Sequence, residues 1–105
     1  MTGINLNTKN VLKLAKVIRK SRTFSQTEVA NCIKGHAARI ELNTDSVASL
    51  GDETVHQVAV YHLNITQKQA IDLFAPFKIS NKEAALLLEK LAETNQEDWS
   101  LVRKW

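Results

Sequence analysis

Apolar residues recur every three or four positions along most of the chain, which is the spacing that places them on one face of an α-helix. The first such set consists of Val11, Leu14, Ala15 and Ile18. This set predicts a helix over 8–20, with Asn7 or Thr8 as its N-cap. The face opposite these residues is rich in lysine, as expected for a helix with one buried side.

Three later helix starts carry a capping box, in which a Ser or Thr and a Glu or Gln three residues further on satisfy two backbone donors. The pairs are Ser25 with Glu28, Thr66 with Gln69, and Ser80 with Glu83. They predict helices over 25–40, 66–74 and 80–94. Pro76 is expected to stop the second of these, because proline cannot continue a helix, and Asn95 follows the last.

Between these helices, the pattern of Val55, Val58, Ala59 and His62 predicts a further helix over 52–63. The segment 41–52 is richer in turn residues and is expected to hold one short helix or none. The tail after Asn95 predicts a short C-terminal turn that folds Trp99 onto the core. The chain is therefore expected to be a single all-α domain, 1–105, of about five helices.

The segment 25–40 holds the only Cys and an unusual Gly-His pair. Helical rotation places His36 among apolar side chains and Cys32 at the edge of the same face, which predicts that both are buried. Gly35 is unfavourable inside a helix, so either another element packs closely there or the helix breaks. Phe24 precedes the capping box and is expected to pack onto Val29 as a hydrophobic staple.

A chain of 105 residues corresponds to one ordinary domain. Its single Cys cannot form an internal disulfide, and no apolar run reaches the roughly 20 residues of a membrane span. The first residues lack the basic and then apolar pattern of a signal peptide. These features predict a cytoplasmic protein.

Charge is distributed unevenly along the chain. Residues 1–40 hold eight Lys or Arg and one acid, a net charge of +7, whereas residues 41–105 hold six and ten, a net charge of −4. On the first helix, Lys9, Lys13, Lys16 and Lys20 form a row about 16 Å long. Either this row contacts an anionic partner, or it is a solvated face whose charge the acidic half balances.

Two chemical hypotheses arise from the same helix. Glu28, Cys32 and His36 lie four residues apart and offer an acid, a thiol and an imidazole. Side chains stacked along one helix face point in parallel, however, so we predict a core Cys and His and no catalytic site. Cys32 and His36 also have metal-ligand spacing, but His56 or His62 would have to complete the site, and no metal is predicted.

DNA or RNA binding is the main alternative function. Residues 66–91 form two capped helices joined by a short connection, as in a helix-turn-helix, but the second lacks the basic start of a recognition helix. The lysine row of the first helix is therefore the chief support for nucleic-acid binding.

Several motifs resemble those of a group of small uncharacterised proteins from bacteria and their phages. The group's motifs are C-I-x-G-H-A, matched from Cys32, L-x-L-T-x-x-Q-A-x-x-L-F, matched from Leu63 with Ile65 at the second Leu, and A-x-x-x-L-x-x-L-x-x-T-x-x-x-D-W, matched from Ala84. The resemblance covers most of the chain, with departures at Lys34 and Asn64. It implies a whole natural domain of phage or mobile-element origin and implies no activity.

Together these features predict a non-enzymatic regulatory or accessory protein that docks another macromolecule, with a protein as the expected partner. The expected contact residues are the four lysines of the row together with Phe77 and Trp105. Cys32, His36 and Trp99 are expected in the core. No cofactor and no membrane contact are predicted.

Overall fold

The computed structural model describes residues 6–25, 31–44, 46–74 and 78–95. These ranges contain five α-helices, one 3-10 helix and no strand. The α-helices are α1 (Thr8–Arg19), α2 (Ile33–Leu42), α3 (Asp52–Leu63), α4 (Gln67–Leu73) and α5 (Asn81–Thr94), and the 3-10 helix spans Val47–Leu50. The all-α class predicted from the sequence is confirmed.

The capping boxes of α4 and α5 form as predicted. Thr66 Oγ1 accepts a hydrogen bond from the Gln69 backbone N–H at 3.0 Å, and Gln69 Oε1 accepts one from the Thr66 N–H at 2.9 Å. Ser80 and Glu83 exchange the equivalent bonds at 3.1 and 2.8 Å. Each helix begins one residue after its cap, because the cap itself has extended backbone angles.

Helix α1 also follows its sequence pattern. Asn7 is the N-cap, and its side chain accepts a hydrogen bond from the Asn10 N–H at 3.0 Å. The four apolar residues that predicted the helix, Val11, Leu14, Ala15 and Ile18, are buried. The helix ends at Arg19, one residue earlier than predicted.

The predicted range 25–40 is wrong for α2, which begins at Ile33 and ends at Leu42. Cys32 is its N-cap and has an extended backbone, with ψ of −175°, so no helix runs through this residue. The Asn31 carbonyl accepts a hydrogen bond from the Ser25 N–H at 2.9 Å. Cys32 and Asn31 have low helix propensity, so the break costs little. The helix is continuous through Gly35, which is buried.

Glu28 and Val29 lie outside the described residues, and so do the capping box and the staple predicted from them. Pro76, Phe77, Trp99 and the predicted C-terminal turn lie outside them as well. Phe24 is described, and its ring packs against the main core.

Helix α1 packs chiefly against α5. The Asn81 side-chain amide, at the start of α5, donates to the carbonyls of Arg19 at 2.8 Å and Ser21 at 3.2 Å. Since these carbonyls stand at the end of α1, the two helices run in opposite directions. The short link 21–24 in the sequence predicts that the first two helices are antiparallel neighbours. They do contact each other, but α5 is the main partner of α1.

Helices α2 and α3 run in the same direction. Lys34 forms an ion pair with Asp52 near the start of both helices, and Glu41 contacts His62 near their ends. The chain between them therefore has to return from the end of α2 to the start of α3. Its 3-10 helix carries Val47, which packs with Ala38 and Val55 in a small second cluster.

The main core draws side chains from all five α-helices. Its largest fully buried members include Leu14, Ile18, Ile33, Leu63, Leu73, Leu88 and Leu91. None of the helices in the described ranges combines the length and apolar character needed to cross a bilayer.

Candidate functional site

The row formed by Lys9, Lys13, Lys16 and Lys20 lies on the solvent face of α1, and all four side chains are exposed. No carboxylate in the described part of the chain lies within ion-pair distance of any of them. Leu12 and Val17 border the row and are 47% and 41% exposed. The outer face of α1 thus combines four ammonium groups with aliphatic edges. We call it the basic face.

Four acidic residues of the described chain form ion pairs with Lys or Arg side chains outside the row. Arg19 of α1 bonds Glu89 of α5 at 2.7 Å, and Lys34 bonds Asp52. The pairs Lys68–Asp72 and Lys90–Glu93 form within α4 and α5 at 3.5 and 3.4 Å. The described acidic residues therefore do not neutralise the basic face by direct contact.

A polar groove of about 700 Å³ adjoins the basic face at Lys13. Its other lining residues are Arg39 and Ile40 of α2 together with Asn43, Thr44 and Ser46, which follow α2 in the chain. Lys13 is therefore the member of the row that lines this groove.

His36 is 3% exposed and uses both ring nitrogens. Nδ1 lies 3.0 Å from the Cys32 carbonyl oxygen, and Nε2 lies 3.1 Å from Ser21 Oγ. A carbonyl can only accept, so Nδ1 carries the proton and Nε2 accepts from the Ser21 hydroxyl. Burial lowers the pKa of His36, and this outweighs the opposing hydrogen bond to the Cys32 carbonyl. The neutral ring ties the end of α1 to α2.

Cys32 is 2% exposed and lies at the N-terminus of α2. Burial raises the pKa of its thiol, although the backbone N–H groups of Gly35 and Lys34 act in the opposite direction. The thiol is therefore protonated at neutral pH, and the nitrogens of His36 bond a carbonyl and a hydroxyl. The arrangement does not activate Cys32 as a nucleophile.

We expect Cys32 to react with a thiol reagent much more slowly in the native protein than after denaturation, because the reagent needs exposed thiolate. The rate is measured with a chromogenic disulfide with and without denaturant. A Cys32→Ser/Thr54→Cys variant, which moves the thiol to an exposed position on α3, is the control and should react rapidly. Equal rates for the native parent and this control would contradict the burial of Cys32.

The three histidines do not form a metal site with Cys32. His62 Nδ1 lies 2.9 Å from Glu41 Oε1, and His56 lies 3.4 Å from Gln67 Oε1 and packs edge-on against Phe74. Among the described residues, no group of three or more His, Cys, Asp or Glu side chains could hold an ion.

Two of these contacts have no signal in the sequence. The Ser21–His36 bond joins α2 to residues just after α1, and the Glu41–His62 bond joins α2 to α3. Helical periodicity placed His62 on a buried stripe but carries no information on which residue of another helix it meets. Among the predicted contact residues, Phe77 and Trp105 lie outside the described ranges.

Comparison with known protein families, curated proteins and solved structures gives no match. The resemblance to small phage and bacterial proteins therefore stays a prediction.

Proposed function

We propose that this chain is a non-enzymatic, cytoplasmic binding module that docks another macromolecule through the basic face of α1. The observation that carries the proposal is the row of four exposed lysines, which no described carboxylate neutralises. Like charges at this spacing repel each other slightly in the isolated helix. An anionic partner would remove that repulsion and gain four charge contacts.

An acidic protein surface is the proposed partner. Leu12 and Val17 offer aliphatic area on both sides of the lysines, and the lysine stems add more. Protein surfaces can bury such area together with the charges, whereas a phosphate backbone takes up the charges alone. Nucleic acid is the second candidate, favoured by the straight row of about 16 Å that the ammonium groups follow along the helix.

The absence of a catalytic role is part of the proposal and is supported by the chemistry of the buried pair. The Cys32 thiol is held protonated, and both nitrogens of His36 have partners. Neither group is exposed to a substrate in solution.

The test is affinity capture from a lysate of the source cells, with and without nuclease, using the parent and a Lys13→Gln/Lys16→Gln variant. We expect a protein that the parent retains after nuclease treatment and that the variant loses. Loss of the captured material on nuclease treatment would assign the basic face to nucleic acid. Equal capture by both proteins would overturn the proposed use of α1.

A further inference from the structure

A second polar pocket, of about 420 Å³, lies at the end of the molecule where α1 begins and where α2 and α3 end. Its lining consists of Asn7, Asn10, Glu41, Tyr61, His62 and Asn64. The Asn7 N–H donates to the Leu63 carbonyl at 2.9 Å, and the Asn10 side-chain amide donates to the His62 carbonyl at 2.8 Å. These bonds hold the start of α1 against the last turn of α3.

The charge of this pocket is opposite to that of the basic face. Glu41 supplies a carboxylate, and neither Lys nor Arg is among the described lining residues. Because α2 and α3 are parallel, both place their negative dipole ends here, whereas α1 begins here and α4 begins three residues after Asn64. Each helix end counts as about half a charge, so these ends offset one another and the Glu41 carboxylate sets the charge of the pocket.

One carboxylate oxygen remains available for a ligand. Glu41 Oε1 accepts a hydrogen bond from His62 Nδ1, whereas its second oxygen has no hydrogen-bond partner in the described part of the chain. The His62 ring is 4% exposed, and its Nε2 is buried and also without a partner among the described residues. The hydrogen bond between His62 and Glu41 therefore sets the orientation of the ring, and it also holds the carboxylate in place at the pocket.

Tyr61 adds an aromatic surface at the rim, since its side chain is 76% exposed. The face of an aromatic ring attracts cations, and a tyrosine ring can also cover the methylenes of an alkyl chain. This exposed ring next to a carboxylate is the combination that recognises organic cations.

The size and the ligand set of the pocket decide between a metal ion and an organic cation. A calcium site surrounds a bare ion with six to eight oxygen ligands at about 2.4 Å, several of them carboxylates. This pocket is much larger than such a site and has a single carboxylate among its described lining residues, which already shares one oxygen with His62. A singly charged ammonium group with an attached alkyl chain matches both the volume and the charge.

We infer that this pocket binds an alkylammonium group. The ammonium group donates to the second oxygen of Glu41 and to the side-chain amide oxygens of Asn7 and Asn10, and the alkyl chain lies on Tyr61. The group can belong to a free polyamine or to a lysine side chain of another protein. The site is independent of the basic face, so it stands or falls separately from the docking of α1.

The test is a titration of the ¹⁵N-labelled protein with n-butylammonium, followed by amide chemical shifts. We expect saturable shifts at residues 7–10 and 61–64, and none with n-butanol. Glu41→Gln keeps an acceptor for His62 but removes the charge, and should weaken binding by about 10-fold or more. Spermidine and an N-acetyl-lysine amide, titrated in parallel, identify the source of the ammonium group by which of them binds more tightly.

Glu53→Gln is the matched control, since it removes the same charge from an exposed position in the first turn of α3, at the end of that helix opposite Tyr61. It should leave the affinity unchanged. Tyr61→Leu alters an exposed side chain and is expected to fold, and it should weaken binding about threefold even if the Glu41 variant does not fold. Non-saturating shifts, equal loss in the Glu53 control, or equal shifts with butanol would overturn the inference.

Discussion

Replacing Lys13 and Lys16 by glutamine should leave the protein folded and should weaken the docking of its anionic partner by about 10-fold or more, because two charge contacts are lost. Glutamine and lysine have similar helix propensities, so α1 should remain intact. If the partner is double-stranded DNA, the slope of log affinity against log salt should fall by about 0.9 per contact, or roughly 2 for the pair. A protein partner should show a smaller change, mainly in the association rate.

The matched control replaces Lys68 and Lys82, two exposed lysines outside α1, by glutamine. It changes the net charge equally and should preserve binding. If the α1 variant binds as well as this control and melts at a slightly higher temperature, the basic face is a solvated surface. The substitutions have then only relieved repulsion between neighbouring lysines.

The substitution His36→Ala should reduce the free energy of unfolding by about 1 to 3 kcal/mol. The change leaves a cavity beside Phe24, whose ring centre lies 5.9 Å from that of His36. It also removes one hydrogen bond from the Ser21 hydroxyl and one from the Cys32 carbonyl, which keeps its bond from the backbone N–H of residue 36. Denaturant unfolding measures the effect, and His56→Ala, at a partly exposed histidine, should cost less. Coincident midpoints for the His36 variant and the parent would show that the ring is not part of the core.

His36 should also make stability depend on pH. Burial depresses its pKa in the folded state, so below about pH 6.5 the unfolded chain binds a proton that the folded chain does not. The stability that the neutral His36 ring contributes is fully present above about pH 6.5. It declines as the pH falls from there towards the folded-state pKa, and it is then constant. His36→Gln should lack this part of the pH dependence in unfolding measured between pH 7 and pH 5, and an unchanged profile would contradict a neutral buried ring.

Local chemistry explains which helix boundaries the sequence predicts well. The boxes at Thr66 and Ser80 involve side chains three residues apart, and the range 52–63 coincides with α3. The same pattern at Ser25 predicted a helix start that α2 does not have. The pattern reports only that a cap is possible, whereas the extended Cys32 depends on the bond between Ser25 and Asn31 and on burial of the thiol.

The two candidate sites also differ in whether local sequence patterns predict them. The lysine row could be read from the sequence, because a helical period places the four side chains on one side. The pocket proposed to bind an alkylammonium group could not be predicted from the sequence. Its residues Asn7, Glu41 and His62 belong to three helices and their caps, and the arrangement of these helices depends on packing. The parallel pairing of α2 and α3 brings two helix ends to this pocket, and no local pattern specifies that pairing.

The pairing of α1 with α5 has a consequence for synthesis of the chain. The apolar face of α1 leaves the ribosome early, whereas its main packing partner comes from residues 81–94. The segment from α2 to α3 can pack as soon as it emerges, because its contacts are close in sequence. Val11, Leu14 and Ile18 must wait until α5 is made. We therefore expect nascent chains stalled before residue 81 to expose this face and to be the species that chaperones bind.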